Sequence, residues 1–345
     1  MRLRLPDRRS VLIGTGAGLL SACQPKAAPL AQGPARLDTG RLTSVFTVFA
    51  QRARPAVFGF GVALLDHDLA WVSSAEARFP LQSVFKAFLA GAALAQVDAG
   101  RLRLDSRIIV KREDIVPWNS PVAEAWRGRD MSLPMVDLLA LAVQQSDNVA
   151  ADVLMRQIGG PAAVTTWLRG LGVGGVNVDR YETELQPATH GLGPFQPAWA
   201  DPKAWMAARD AVPAADREAA MASYLADPRD TATLPSSLDF LVRLGRGKLL
   251  TPASTRLLLR LMTDCETGAH RLKAGLPADA ILAHKTGTSA TDLGITPATN
   301  DIGIVTLANG RQFALAAYLA GSTATEAVRE AMIAEAARLA AGCVS

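Results

Sequence analysis

From Val84 to Val97 the chain is almost wholly apolar, and the one charge inside the run is Lys86. The run is too long for a strand and rich in alanine, so it predicts a buried helix that stops at Gly100. A short extended stretch, Arg78-Phe79-Pro80, leads into it, and Ser83 falls at its first turn, where the helix end is positive. Lys86, three positions on, lies on the same face. Burial lowers the proton affinity of an ammonium, so Ser83 and Lys86 together make a nucleophile with a base beside it. S-x-x-K is also a common chance pattern, and the same residues read equally as an N-cap serine and a snorkelling lysine.

The rest of the chain dictates what packs around that helix. Leu42, Val45, Phe46 and Phe49 form a helical stripe with Asp38 or Thr39 as cap. Ala56 to Leu65 and Leu69 to Ser73 read as a hairpin around Asp66-His67-Asp68. Helices are predicted from Ser132-Leu133-Pro134 to Gln144, from Val149 to Ile158, from Pro161 to near Gly172, and from Thr251-Pro252 to Met262. Ile281 to Ser289 is extended. Asp301 to Leu307 and Arg311 to Leu319 flank Asn309-Gly310, the strongest hairpin signal in the chain. Thr325 to Ala341 is a last amphipathic helix. The predicted class is α/β in the α+β sense: an antiparallel sheet flanked by N- and C-terminal helices, with an all-helical domain inserted. The sheet domain takes residues 38–75 and 264–345, and the helical domain takes 76–263.

The first residues have a separate meaning. Arg2, Arg4, Arg8 and Arg9 precede a short apolar run, Val11 to Leu20, too short to span a bilayer. Residues 1–22 therefore read as a signal peptide, with Arg8-Arg9-Ser10-Val11-Leu12 resembling a twin-arginine export signal. Leu20-Ser21-Ala22-Cys23 resembles a bacterial lipobox, with Cys23 as the lipidated first residue of the mature chain; cleavage near Ala28 to give a soluble secreted protein is the alternative. Residues 23–37 form a tether. Removing residues 1–22 takes away four arginines and one aspartate, so the net charge falls from +4 to +1. The basic balance thus belongs to the export signal and does not argue for a nucleic-acid partner. Cys265 and Cys343 are expected as free thiols, and neither the cysteines nor the four histidines show metal-ligand spacing, so no metal or other cofactor is expected.

Three further stretches answer Ser83 and Lys86. Ser146-Asp147-Asn148 lies in a break between helices, where a hydroxyl relays protons and an amide holds a carbonyl. Lys285-Thr286-Gly287-Thr288 offers a cation, two hydroxyls and a glycine that permits close approach of a ligand. Glu182 opens a long irregular region. S-x-x-K, S-D-N and K-T-G in this order resemble the class A β-lactamases and their relatives the penicillin-binding proteins. The resemblance covers nearly all of the chain after the signal, including the flanks Val97-Asp98-Ala99-Gly100 and Thr299-Asn300-Asp301-Ile302.

The resemblance implies a division of roles. Ser83 attacks the lactam carbonyl, and Lys86, or Glu182 through a water, takes its proton. The N–H groups of Ser83 and Thr288 form the oxyanion hole. Ser146, supported by Lys285, passes a proton to the lactam nitrogen. Asn148 holds the substrate amide. Thr286, Gly287 and Thr288 line the carboxylate site. Glu182 clears the acyl group, the step that separates these hydrolases from penicillin-binding proteins. Arg271 replaces the family's strand arginine, whose place Thr299 takes, and Trp118 resembles the aromatic at the cleft rim. The implied substrate is a small β-lactam met by a periplasmic, lipid-anchored monomer. The alternatives are a D-Ala-D-Ala peptidase and a sensor acylated once.

Three departures stand out. Gln186 occupies the place of an asparagine that helps hold the hydrolytic water. The loop that Glu182 opens should be closed by Asp230 pairing with Arg180, yet it is far longer than usual, and residues 187–229 are predicted to hold a small helical insertion. Its helix starts are Asp201-Pro202 and Pro213-Ala214-Ala215-Asp216, with Trp205, Met206 and Met221 to pack. Thr288 to Asn300 is also long for the hairpin that follows K-T-G. Gln82 and Ser289 stand where carbapenem-hydrolysing relatives often carry paired cysteines, which weighs against that specificity.

Overall fold

The computed structural model describes residues 36–345. The export signal, Cys23 and the tether to residue 35 lie outside the described residues. The strands in chain order are β1 (Val57–Leu64), β2 (Ala70–Val72), β3 (Arg78–Pro80), β4 (Arg107–Val110), β5 (Met131–Pro134), β6 (Thr231–Thr233), β7 (Ile281–Thr288), β8 (Thr296–Thr306) and β9 (Gln312–Ser322). Five of them form one antiparallel sheet in the order β2-β1-β9-β8-β7. The first hairpin therefore sits beside the last, as short antiparallel connections at both ends of the chain require.

Both faces of this sheet are covered. On one, Phe60, Val62, Leu315 and Leu319 pack with Leu42 and Phe49 of the Thr39–Ala53 helix and Ile333 and Ala337 of the Glu326–Ala341 helix. On the other, Phe79, Ile302, Ala316 and Tyr318 meet the Phe85–Asp98 and Leu234–Gly245 helices. Phe88 and Phe240 meet edge to face at 4.7 Å there. Tyr318 stacks on Phe79 at 5.4 Å and shares a 2.8 Å hydrogen bond with Ser237. The Phe85–Asp98 helix is surrounded by other elements, as its almost wholly apolar sequence requires.

The ends of the described chain meet. Leu37 bridges Val344, and Arg36 and Ser345 exchange backbone hydrogen bonds at 2.9 and 3.2 Å. Asp38 caps the first helix by accepting from Arg41 N at 2.9 Å.

The inserted region also carries two short ladders, β3 with β6 and β4 with β5. The second corrects the helix start expected at Ser132. Ser132 and Leu133 pair with Ile109 and Ile108, and the helix begins at Met135. Local capping chemistry lost to cross-strand pairing. The hairpin after K-T-G is likewise shorter than it reads. β8 starts at Thr296 rather than near Asp301, so Thr288 already pairs with Thr299.

The insertion is helical, with a 3-10 turn at Pro197–Ala200 and helices Pro202–Ala211 and Ala214–Ala226. Asp201 caps the first by accepting from Lys203 N. Trp205 and Met221 are buried, whereas Met206 is exposed. At the neck of the insertion Asp230 accepts from the N–H groups of Asp179 and Arg180 at 2.8 and 3.1 Å, and from Arg180 Nε. The Arg180–Asp230 closure expected from sequence is in place.

Candidate active site

Ser83 stands in a single 3-10 turn, Gln82–Val84, and the α-helix proper starts at Phe85. Three contacts hold this turn. Asn300 Nδ2 donates to the carbonyls of Pro80 and Leu81 at 2.7 and 3.1 Å. Leu81 N donates to Asp230 O at 2.9 Å. Gly287 of β7 lies so close that a Cβ there would come within 2.4 Å of Leu81 O and 3.2 Å of Ser83 N. The glycine of K-T-G thus admits the backbone of the nucleophile turn, where the sequence suggested a ligand. Gln82 has φ +44, a left-handed conformation costly for a residue with a side chain.

Lys86 is fully buried, and its Nζ is the hub of the site. It donates to Ser83 Oγ at 3.0 Å, to Ser146 O at 2.7 Å and to Asn148 Oδ1, and lies 3.6 Å from Glu182 Oε1. Burial lowers its pKa from the usual lysine value, against the opposing pull of Glu182.

Ser146 has φ +59, which breaks the helical path between Met135–Gln144 and Asn148–Gln157 and turns its side chain to Lys86. Asp147 is buried beneath it. Its carboxylate caps the second helix through Ala150 N at 2.9 Å and accepts from Ser120 Oγ and Val122 N at 2.7 and 2.8 Å. The middle residue of S-D-N is therefore a structural pin, and burial raises its pKa despite those donors. Lys285 Nζ donates to Ser146 Oγ at 3.0 Å, so the hydroxyl has one lysine bonded to it and the other, Lys86, 3.5 Å away. Burial brings Lys285 down to about 8.

Glu182 is 1% exposed and opens the Glu182–Thr189 helix. Asp152 holds that helix end, accepting from Glu182 N, Thr183 N and Thr183 Oγ1 at 2.8, 3.1 and 3.0 Å. Burial and the neighbouring Glu182 raise Asp152 to about 7. Gln186 Nε2 donates to Glu182 Oε2 at 2.8 Å and to Gln82 Oε1 at 3.4 Å.

Thr286 Oγ1 bonds Thr267 Oγ1, and Thr288 Oγ1 accepts from Arg271 Nη2 at 2.8 Å. Arg271 is buried and also donates to Glu330 and to the carbonyls of Gly287 and Asn300. It reaches the K-T-G strand from behind. At the place the family gives to a strand arginine, Thr299 accepts from Arg329 Nε of the last helix at 2.9 Å. Trp118 is held edge-on by Phe195 and Trp205 at 5.4 and 4.9 Å, and its carbonyl accepts from Asn148 Nδ2 at 3.3 Å.

Ser83, Lys86, Ser146, Asn148, Glu182, Gln186 and Lys285 thus form one cluster, joined by hydrogen bonds and by the Lys86–Glu182 ion pair, with Thr286, Gly287 and Thr288 along its edge. Asp152, Gln82, Asn300 and Arg329 were not singled out from sequence as site residues. Asp152 carried a usable signal, a lone acid inside the apolar run Val149 to Met155. Gln82 and Asn300 entered the sequence reading only through the family pattern, and Arg329 carried no signal.

A family described as the β-lactamase enzyme family matches residues 42–343. The extended-spectrum β-lactamase PER-1 of Pseudomonas aeruginosa is 32% identical over 265 residues, 76% of this chain and 74% of that protein. The carbapenem-hydrolysing β-lactamase KPC of Klebsiella oxytoca is 32% identical over 266 residues, 77% and 76% of the two chains. Among solved structures, a β-lactamase from Chitinophaga pinensis superposes with a TM-score of 0.72 at 32% identity, covering 87% of this chain and 98% of its own. With catalytic geometry, motif order and relatives in agreement, the chain belongs to the β-lactamase enzyme family, in its class A branch.

Proposed function

We propose that the protein hydrolyses the β-lactam amide of penicillins and cephalosporins through an acyl-enzyme on Ser83, an activity that confers resistance to these antibiotics. The observation that carries this is Lys86 Nζ, 3.0 Å from Ser83 Oγ and 3.6 Å from Glu182 Oε1. Nucleophile, base and hydrolytic carboxylate share one buried hub. Lys86, its pKa lowered, takes the hydroxyl proton as Ser83 Oγ bonds to the lactam carbonyl carbon. The N–H groups of Ser83 and Thr288 receive the oxyanion. The C–N bond breaks as Ser146 Oγ delivers a proton to the nitrogen and takes in exchange the one Lys86 holds, with Lys285 on its other side. Thr286 and Thr288 receive the substrate carboxylate, with the Arg271 charge one hydrogen bond behind Thr288. Asn148 holds the substrate amide by exchanging its bond to Trp118 O. Glu182 then deprotonates the water that attacks the acyl carbonyl, and as the ester C–O bond breaks a proton returns to Ser83 Oγ by way of Lys86, which restores the free enzyme.

Steady turnover of a chromogenic cephalosporin is expected. One equivalent of product followed by a stop would instead indicate a peptidase-like or sensor protein. Ser83→Ala should abolish acylation. Glu182→Ala should form the acyl-enzyme and keep it, visible by mass spectrometry, and normal turnover by that variant would remove Glu182 from the mechanism.

The same reading places the protein in the periplasm as a monomer, anchored by lipid on Cys23. The sequence Leu20-Ser21-Ala22-Cys23 behind a basic, apolar leader supports it. Cys23→Ser should release the activity from membranes into the soluble fraction; retention on the membrane would refute the anchor.

A further inference from the structure

The insertion does more than lengthen a loop. We propose that Tyr224, on its second helix, is a positioning residue for the hydrolytic step, acting through Gln82 and Gln186 on the carboxylate of Glu182. This rests on the acyl-enzyme reading above.

The chain of contacts is continuous, buried at its ends and at Gln82, and half-buried at Gln186. Gln186 Nε2 lies 2.8 Å from Glu182 Oε2 and 3.4 Å from Gln82 Oε1, and Gln82 Nε2 lies 2.6 Å from Tyr224 Oη. Gln82 is 2% exposed, Tyr224 4% and Glu182 1%. The direction of the chain is fixed from one end. An ionised carboxylate only accepts, so Gln186 must turn its NH2 towards Glu182. That NH2 also faces Gln82, which must therefore present its carbonyl oxygen. The amide nitrogen of Gln82 is left pointing at Tyr224, and the phenol must accept. Tyr224 is thus the terminal acceptor of a relay whose first member is the hydrolytic base. Without it, a buried N–H2 loses its partner. Rotating the Gln82 amide to find another would set two NH2 groups against each other at Gln186.

The insertion that carries Tyr224 is tied down on both sides of the site. Phe195 and Trp205 hold Trp118, whose carbonyl bonds Asn148. On the opposite side, Asp292 in the β7–β8 turn accepts from Arg217 Nη1 at 2.6 Å and lies 3.0 Å from His190 Nδ1. The long loop and the altered hairpin, two separate departures in the sequence, are joined in one brace.

The test compares Tyr224→Phe with the parent in acyl-enzyme lifetime, measured by mass spectrometry after a single exposure to a cephalosporin. The lifetime should lengthen roughly tenfold, the size of one net hydrogen bond. In steady state kcat and KM should fall together, leaving kcat/KM nearly unchanged. Gln82→Met should reproduce the effect, and the double variant should be no slower than the worse single one. Met206→Ala, on the exposed face of the same insertion, should change nothing. A folded Tyr224→Phe protein with the parent lifetime overturns the proposal. So do additive losses in the double variant, or a fall in kcat/KM without accumulated acyl-enzyme. If Tyr224→Phe fails to fold, Gln82→Met carries the decision by the same measurements. A parent that stalls after one equivalent refutes the hydrolase reading alone, because the ratio of acyl-enzyme lifetimes still judges Tyr224.

Discussion

Gln186 is one methylene longer than the asparagine of the family pattern, and the structure puts that length to use. Its amide reaches both Glu182 and Gln82. Gln186→Asn withdraws the amide by about a bond length, ~1.5 Å, and should break both contacts. The expected outcome is deacylation slowed by roughly tenfold with acylation intact, read from burst and steady-state phases with a chromogenic substrate. A second residue has unusual chemistry. Burial pushes the Cys265 thiol up, but the neighbouring His284 and the Lys285 charge outweigh this and bring it to about 7. Burial also opposes a charge on His284, yet Asp301 at 2.9 Å prevails and raises it to about 10. Cys265 is therefore increasingly thiolate as pH rises through 7. Its alkylation by iodoacetamide should climb between about pH 6 and 8 and then level, about a pH unit or more below an ordinary thiol. Peptide mass spectrometry with Cys265→Ser as control checks this. Ser83 and Lys86 were legible in sequence because their spacing is local, within one helical turn. Asn300 and Arg329 were not, because the groups they bond lie far along the chain, at Pro80 and Thr299.

At the scale of elements, the helix starts in the insertion were legible from Asp201-Pro202 and Pro213, since caps and N1 prolines act locally. What the insertion touches was not. Its tie to the β7–β8 turn needs Asp292 to meet Arg217 and His190, and no local signal encodes that meeting. Burial lowers the His190 imidazole, so near neutral pH Arg217 supplies the charge opposite Asp292. Asp292→Ala strands that guanidinium, which is 14% exposed on its side chain. Breaking a buried pair costs roughly 3–5 kcal/mol, and this partly wet one should fall at the low end. Denaturant unfolding should register the loss, with faster hydrogen exchange concentrated in residues 190–226. Ser132 shows the converse failure. Its signal for a helix start was local and present, and pairing with Ile109 overrode it.

At the scale of the whole molecule, the sandwich of helix, sheet and helices was legible because strands with turn signals open and close the chain while helical periods fill its middle. The two sides of the sheet were not assigned by that reading; β1 is buried along nearly its whole length on both. The core between sheet and inserted helices should be the more sensitive to truncation at Phe240, which is fully buried against Phe88. Phe240→Ala should cost about 3–5 kcal/mol, measured by chemical denaturation, without altering the distances within the site. The meeting of Leu37 with Val344 has a further consequence. The described part of the chain, residues 36–345, has ends that pair, so it is topologically close to a ring, and a ring can be cut elsewhere. Joining Ser345 to Arg36 through a short linker and opening the exposed turn at Gly247-Lys248 would give a circular permutant in which K-T-G precedes S-x-x-K. Such a permutant should keep every contact of the site. The linear order by which this family is recognised would then be a record of where the gene begins, separable from the chemistry.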